Sequence, residues 1–165
     1  MDNSLYELIV ARQSGLKTQL LKILLITFLG FFGIVTLIFL PPFFLVPLIL
    51  SALAYFFVFP KFFVEYEYTL IYQELDIDII YKKAKRKSLM SLDLREVEII
   101  APVTSNRLAS YRTTVTLDYS ARNSSPSTYA IVIPLKQSLT KILVQPDEGM
   151  INHLRNNIPR NFFTD

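Results

Sequence analysis

The sequence predicts an α+β membrane protein: a two-helix transmembrane hairpin, then a mainly β barrel of about seven strands with a C-terminal helix. Three observations predict it. Residues 23–60 form 38 consecutive positions without a charged side chain. Beyond Lys61 apolar residues alternate with polar ones, the period of a half-buried strand. After residue 146 the apolar spacing becomes helical.

A membrane-crossing helix needs about 20 mostly apolar residues, and one charge at its centre costs roughly 2.5–3.5 kcal/mol. The uncharged run is too long for one ordinary span and fits two, with Pro41-Pro42 as the corner. The hairpin is assigned to residues 19–61. Its first span, 19–40, is about 33 Å long, and its second, 43–60, is a marginal 27 Å or about that. Pro47 lies inside the second span and lacks a backbone donor, so irregular first turns are expected there. A re-entrant hairpin that dips into the bilayer is the alternative. Ala52-Leu53-Ala54 fits a signal-peptidase pattern, but the uncharged stretch before it far exceeds a signal h-region. Arg12, Lys17, Lys22 and Lys61 flank the hairpin, and the corner carries no charge. The positive-inside rule then predicts a multi-pass protein of the cell membrane with both termini cytoplasmic.

Ahead of the hairpin, Ser4-Leu5-Tyr6-Glu7 reads as a capping box. Leu5, Leu8, Ile9 and Leu16 follow near helical spacing, so an N-terminal amphipathic helix at the membrane interface is expected over 1–18. Behind the hairpin, residues 62–165 form the expected cytoplasmic β domain. Alternation marks strands at about 62–72, 74–81, 86–94, 96–101, 112–120, 128–134 and 140–145, with loops at 104–111 and 121–127. Pro146-Asp147-Glu148 opens a helix with acids at its positive end; Met150, Ile151, Leu154 and Ile158 make its apolar face, and Pro159 stops it.

Composition removes several classes of function. With no cysteine the chain has no disulfide, thiolate metal site or cysteine nucleophile, which fits a reducing cytosol. His153 is the single histidine and is expected on a surface helix beside Asn152 and Arg155, off the apolar face. No Gly-x-Ser-x-Gly or Walker sequence supplies a reaction centre. Glu65, Glu67, Asp76 and Asp78 make a carboxylate cluster, but side chains on one strand face lie side by side and do not converge on a cation. The uncharged stretch lacks the ionisable groups of ion pathways, and Gly30 and Gly33 miss the Gly-x-x-x-Gly dimer spacing. The net charge of +3 is too small to argue for nucleic acid. The expectation is a non-enzymatic protein without metal or cofactor.

Lys82, Lys83, Lys85, Arg86 and Lys87 form a dense basic run. The chain leaves the membrane along one strand, reverses near Gln73 and returns along the next, which brings this run back toward the bilayer. Each cation near an anionic leaflet contributes about 1 kcal/mol. The five residues are therefore candidates for contact with anionic lipid headgroups. A solvated turn that guards a sheet edge is the alternative.

The order of parts resembles a small membrane-protein family of unknown function from Gram-positive anaerobes. The resemblance rests on a short N-terminal helix, the apolar hairpin, Val64-Glu65-Tyr66-Glu67-Tyr68, Glu74-Leu75-Asp76-Ile77-Asp78, Lys85-Arg86-Lys87 and Glu98-Ile99-Ile100-Ala101-Pro102. Such families often have a glycine in the turn before the Leu-Asp-Ile-Asp segment. Ile71-Tyr72-Gln73-Glu74 has none, so a turn longer than two residues is expected. Residues 62–160 look like a bacterial pleckstrin-homology-like domain, which implies a binding scaffold and no activity. The expected role is a membrane-anchored interaction or scaffold protein that binds the bilayer, anionic headgroups or a protein partner. An auxiliary subunit of a larger membrane complex is the alternative.

Overall fold

The computed structural model describes residues 5–13, 15–43, 45–59, 63–81, 85–122, 127–136 and 138–164, with the backbone alone at 17 and 41. The chain divides into two compact units, Met1–Arg12 with Glu65–Asp165, and Gln13–Val64.

The first unit is built on strands. In chain order these are β1 (Leu5–Ala11), β2 (Val64–Ile71), β3 (Glu74–Tyr81), β4 (Lys85–Asp93), β5 (Ile99–Pro102), β6 (Val115–Asp118), β7 (Tyr129–Leu135) and β8 (Ser138–Val144). They form two four-stranded sheets in the orders β1-β2-β3-β4 and β5-β7-β8-β6. This corrects the single seven-stranded barrel. All seven expected strands are present, but they pair within two sheets, and β1 is an eighth.

β1 also overturns the amphipathic helix expected over 1–18. Leu5–Ala11 runs antiparallel to β2, from Leu5↔Ile71 to Ala11↔Glu65. Leu5, Leu8 and Ile9 satisfy helical spacing, but so short an isolated helix is marginal. Pairing with β2 satisfies the backbone of this β-branched segment on a full strand neighbour. Ser4 of the proposed capping box lies outside the described residues.

Alternation fixes which side chains meet the core. Tyr68, Leu70, Leu75, Ile77 and Leu92 from the first sheet are buried, as are Ile131 and Ile142 from the second. The helix Glu148–Asn157 adds Met150 and Leu154, as the sequence pattern predicts. Asp147 caps it, accepting the Met150 N–H at 2.8 Å. The second sheet is covered on its other side too. Leu108, from the stretch expected as a loop, packs with Ile99, Ala101, Ala130 and Val132, and Phe163 joins them. That double burial explains why every residue from Tyr129 to Ile133 is buried.

The second unit holds α1 (Leu16–Phe39), a tight turn at Pro41–Phe43, and α2 (Leu45–Leu53), which widens into a π-helical turn at Ala54–Val58. α1 packs on α2. Pro47 falls in the first turn of α2, where its missing N–H has no helical acceptor to lose. The irregularity sits at the other end of the helix, in the π turn. Thr18–Phe39 is the one described helix long and apolar enough to cross a bilayer; Leu45–Val58 is shorter than the expected second span of 43–60. The helix after β8 is α3.

Candidate functional site

The basic run divides. Lys82 and Lys83 lie outside the described residues. Lys85, Arg86 and Lys87 open β4, paired with Tyr81, Ile80 and Ile79. Between Ile77↔Met90 and Asp78↔Ser88 the register shifts, so Leu89 is an extra residue. A bulge reverses the parity of everything beyond it. It turns Arg86 toward the outer face of the sheet, where it forms an ion pair with Glu67 and lies 3.8 Å from Asp78. Lys85 and Lys87 fall on the opposite parity and are exposed.

Glu67 is only 3% exposed. A buried carboxylate needs a cation, because an unpaired charge there loses its hydration without compensation. Arg86 is therefore committed to an ion pair on the outer face of the sheet, across β2, β3 and β4, although its own side chain is 57% exposed. The expected carboxylate cluster is real as a cross-strand group, and Arg86 bridges two of its members. No set of three or more metal-ligating side chains occurs among the described residues.

The sheet end at Ala11↔Glu65 carries a second polar group. Arg12 donates to the Tyr66 hydroxyl, and its guanidinium sits 5.5 Å above the Tyr66 ring. Tyr119 meets that ring edge-on at 5.4 Å. Burial raises the pKa of Tyr66 against the opposing pull of Arg12. Tyr68 donates to the Tyr119 carbonyl at 2.6 Å, and burial raises its pKa strongly. Asp118 accepts from Ser120 at 2.7 Å and from Arg122 at 2.7 Å. Burial pushes the Asp118 carboxyl up, but these hydrogen bonds outweigh it and hold its pKa below the usual value.

His153 stands against Tyr6 of β1, with ring centroids 5.0 Å apart. Tyr6 donates to Asp147, at 2.8 Å to Oδ1 and 2.7 Å to Oδ2, and this hydrogen bond raises its pKa. A side chain at Gly149 would collide with the Tyr6 ring. Asp147 is thus shared between a helix cap and a latch to β1, and Gly149 is the small residue the latch requires. Sequence reasoning missed Tyr6 because it placed β1 on a helix.

At the other end of the first sheet, Tyr72 and Gln73 join β2 to β3 in two residues, which corrects the longer turn expected. Tyr72 takes the left-handed conformation, φ 52, that a glycine would otherwise supply. Its carbonyl accepts from Asn157 at 2.5 Å, and Gln73 accepts the Leu94 N–H at 2.7 Å. A cavity of about 610 Å³ opens here, lined by Ile71, Tyr72, Glu74, Asp93, Arg95 and Asn157, among others. Arg95 hydrogen bonds hold the Asp93 carboxyl down to about 2.

The unit thus combines two antiparallel-rich sheets, a C-terminal helix against the core and a polar sheet end. Among known proteins, neither a curated protein nor a solved structure matches the chain. A family model described as "Bacterial PH-like domain (DUF6106)" matches residues 2–164. The chain belongs to this family of bacterial PH-like domains.

Proposed function

We propose that the chain is a membrane-anchored, non-enzymatic interaction protein, with residues 13–64 as its anchor and the PH-like unit as its binding part. The pairing of Ala11 with Glu65 carries this reading. Everything between them leaves and rejoins the PH-like unit at one point. A single crossing by α1 would separate β1 from β2 by a bilayer, so the apolar segment must enter and return on one side. Within the anchor, the Lys22 ammonium lies 4.7 Å above the Phe63 ring, which supports a neighbouring entry and exit. Away from the stripe that includes Leu25, Leu29 and Thr36, α1 exposes apolar side chains, such as Leu24 at 65% and Phe31 at 68%, as a lipid-facing helix does. Lysine and arginine at the flanks favour cytoplasmic termini.

α2 with its π turn covers only about 21 Å at 1.5 Å per residue, so the returning limb thins the bilayer locally or dips without crossing. Lys85 and Lys87, with Lys82 and Lys83, are the proposed headgroup contacts; Arg86 belongs to the sheet. The second reading, an auxiliary subunit of a larger membrane complex, is favoured by Gly30 and Gly33, where nothing among the described residues lies within 4 Å of a Cβ position. Such an open strip suits a partner helix.

The test uses the absence of native cysteine. In isolated membranes, the pair Ala11→Cys and Glu65→Cys is expected to oxidise to a disulfide, and the protein to stay in the pellet after alkaline carbonate washing. Release into the wash would contradict the anchor; failure of the pair to cross-link would contradict the closed β1–β2 ends.

A further inference from the structure

The outer face of the first sheet has an unusual charge balance. Ion pairing of Arg86 with both Glu67 and Asp78 puts these three on one face. Register then adds Ile9, opposite Glu67, and Ser91, opposite Asp76. By the same alternation Glu7, Glu65, Glu74 and Asp76 face the same way, and Asp93 lies directly across from Glu74. Arg86 is the one cation of these strands on that face among the described residues, and it is spent on Glu67 and Asp78. Asp93 is held by Arg95. Glu7, Glu65, Glu74 and Asp76 have no cationic partner among the described residues. The chain as a whole is +3, so this face runs against the overall balance.

The same face exposes apolar area at its β1 edge. Leu5 is 53%, Ile9 56% and Ile71 40% exposed, and Leu5 pairs directly with Ile71. β1 ends the sheet order, with no strand on its second side among the described residues. A solvated sheet face alternates polar out and apolar in; here leucine and isoleucine stand out among the carboxylates.

We infer that this face docks a cationic amphipathic segment of a partner protein, its lysines and arginines on the free carboxylates and its apolar side on Leu5, Ile9 and Ile71. Charge complementarity selects this occupant. An anionic leaflet is repelled, and a second copy in a two-fold contact would set carboxylates against carboxylates. The inference rests on the proposed interaction role but not on the anchor. A protein that washes off membranes still presents the face.

The experiment uses the full chain in nanodiscs of zwitterionic lipid, with a fluorescent synthetic Lys/Leu amphipathic helical peptide as probe. Lys/Ser and Glu/Leu peptides are the comparators, and empty nanodiscs give the baseline. Binding of the Lys/Leu peptide above baseline, weakening with salt, is expected. The Glu65→Gln/Asp76→Asn double variant should weaken it about tenfold or more, as should Ile9→Ser, while Glu148→Gln on α3 leaves it unchanged. An unchanged melting temperature for the double variant separates docking from folding. Three results would overturn the inference: binding no greater than to empty nanodiscs, equal affinity in the double variant, or a sedimenting dimer that Ile9→Ser dissolves.

Discussion

The two units use the same residue types in opposite ways. In the PH-like unit Leu75, Ile77 and Ile131 are fully buried, whereas in α1 Leu24, Phe31 and Ile38 are each more than 60% exposed. Burial in water drives the first arrangement, at roughly 25 cal/mol per Å² of apolar surface. Nothing in water rewards the second, and an apolar surround is what it fits. The helical segment lies between β1 and β2 in the chain, and those two strands pair with each other. Folding of the sheet and membrane retention by the proposed anchor are then separable properties of one chain.

The largest expected effect separates them by truncation. Leu75→Ala should destabilise the PH-like unit by about 2–5 kcal/mol, the cost of a core cavity. Leu24→Ala should leave the melting of that unit unchanged. Thermal unfolding followed by near-ultraviolet circular dichroism of tyrosine reads both; equal losses would erase the distinction between the units.

A smaller effect separates neighbours in the basic run. Arg86→Ala strands Glu67 without its cation and should cost about 1–3 kcal/mol. Lys87→Ala should stay within about 0.5 kcal/mol, as exposed substitutions do. Chemical denaturation of the two variants side by side checks this. Equal stability would return Arg86 to the headgroup candidates, and anionic-lipid binding would then be measured on both.

The smallest effect concerns one backbone position. Tyr72→Asn should raise stability by about 0.5–1 kcal/mol, since asparagine tolerates the left-handed region better than tyrosine. A loss instead would show that the Tyr72 side chain contributes more to the turn than its conformation costs.

Much of the PH-like unit was legible in the sequence. Period-two alternation located strands such as β3 and β8, which have one face in the core, while β5 and β7, buried on both faces, show as short apolar runs, and Met150 and Leu154 marked the buried stripe of α3. The failures have specific physical causes. Leu5–Ala11 satisfies both periods, and only its pairing with β2 decides for the strand. Leu89 is a bulge that no local pattern announces, yet it turns Arg86 from a candidate lipid contact into the partner of a buried glutamate. Tyr72 occupies a conformation for which glycine is the usual signal. Pro47 predicts irregular first turns in the second span, but it falls in the first turn of α2, where proline costs little.

The central claim is that the anchor enters and returns on one side because β1 and β2 pair. Single cysteines at positions 7, 42 and 74, labelled in intact cells and in inverted vesicles with a membrane-impermeant thiol reagent, test it most directly. The account predicts that positions 7 and 74 react from the same, cytoplasmic side; position 42 reacts from the other side where the returning limb crosses and from neither side where it dips. Labelling of 7 and 74 from opposite sides of the membrane would contradict it.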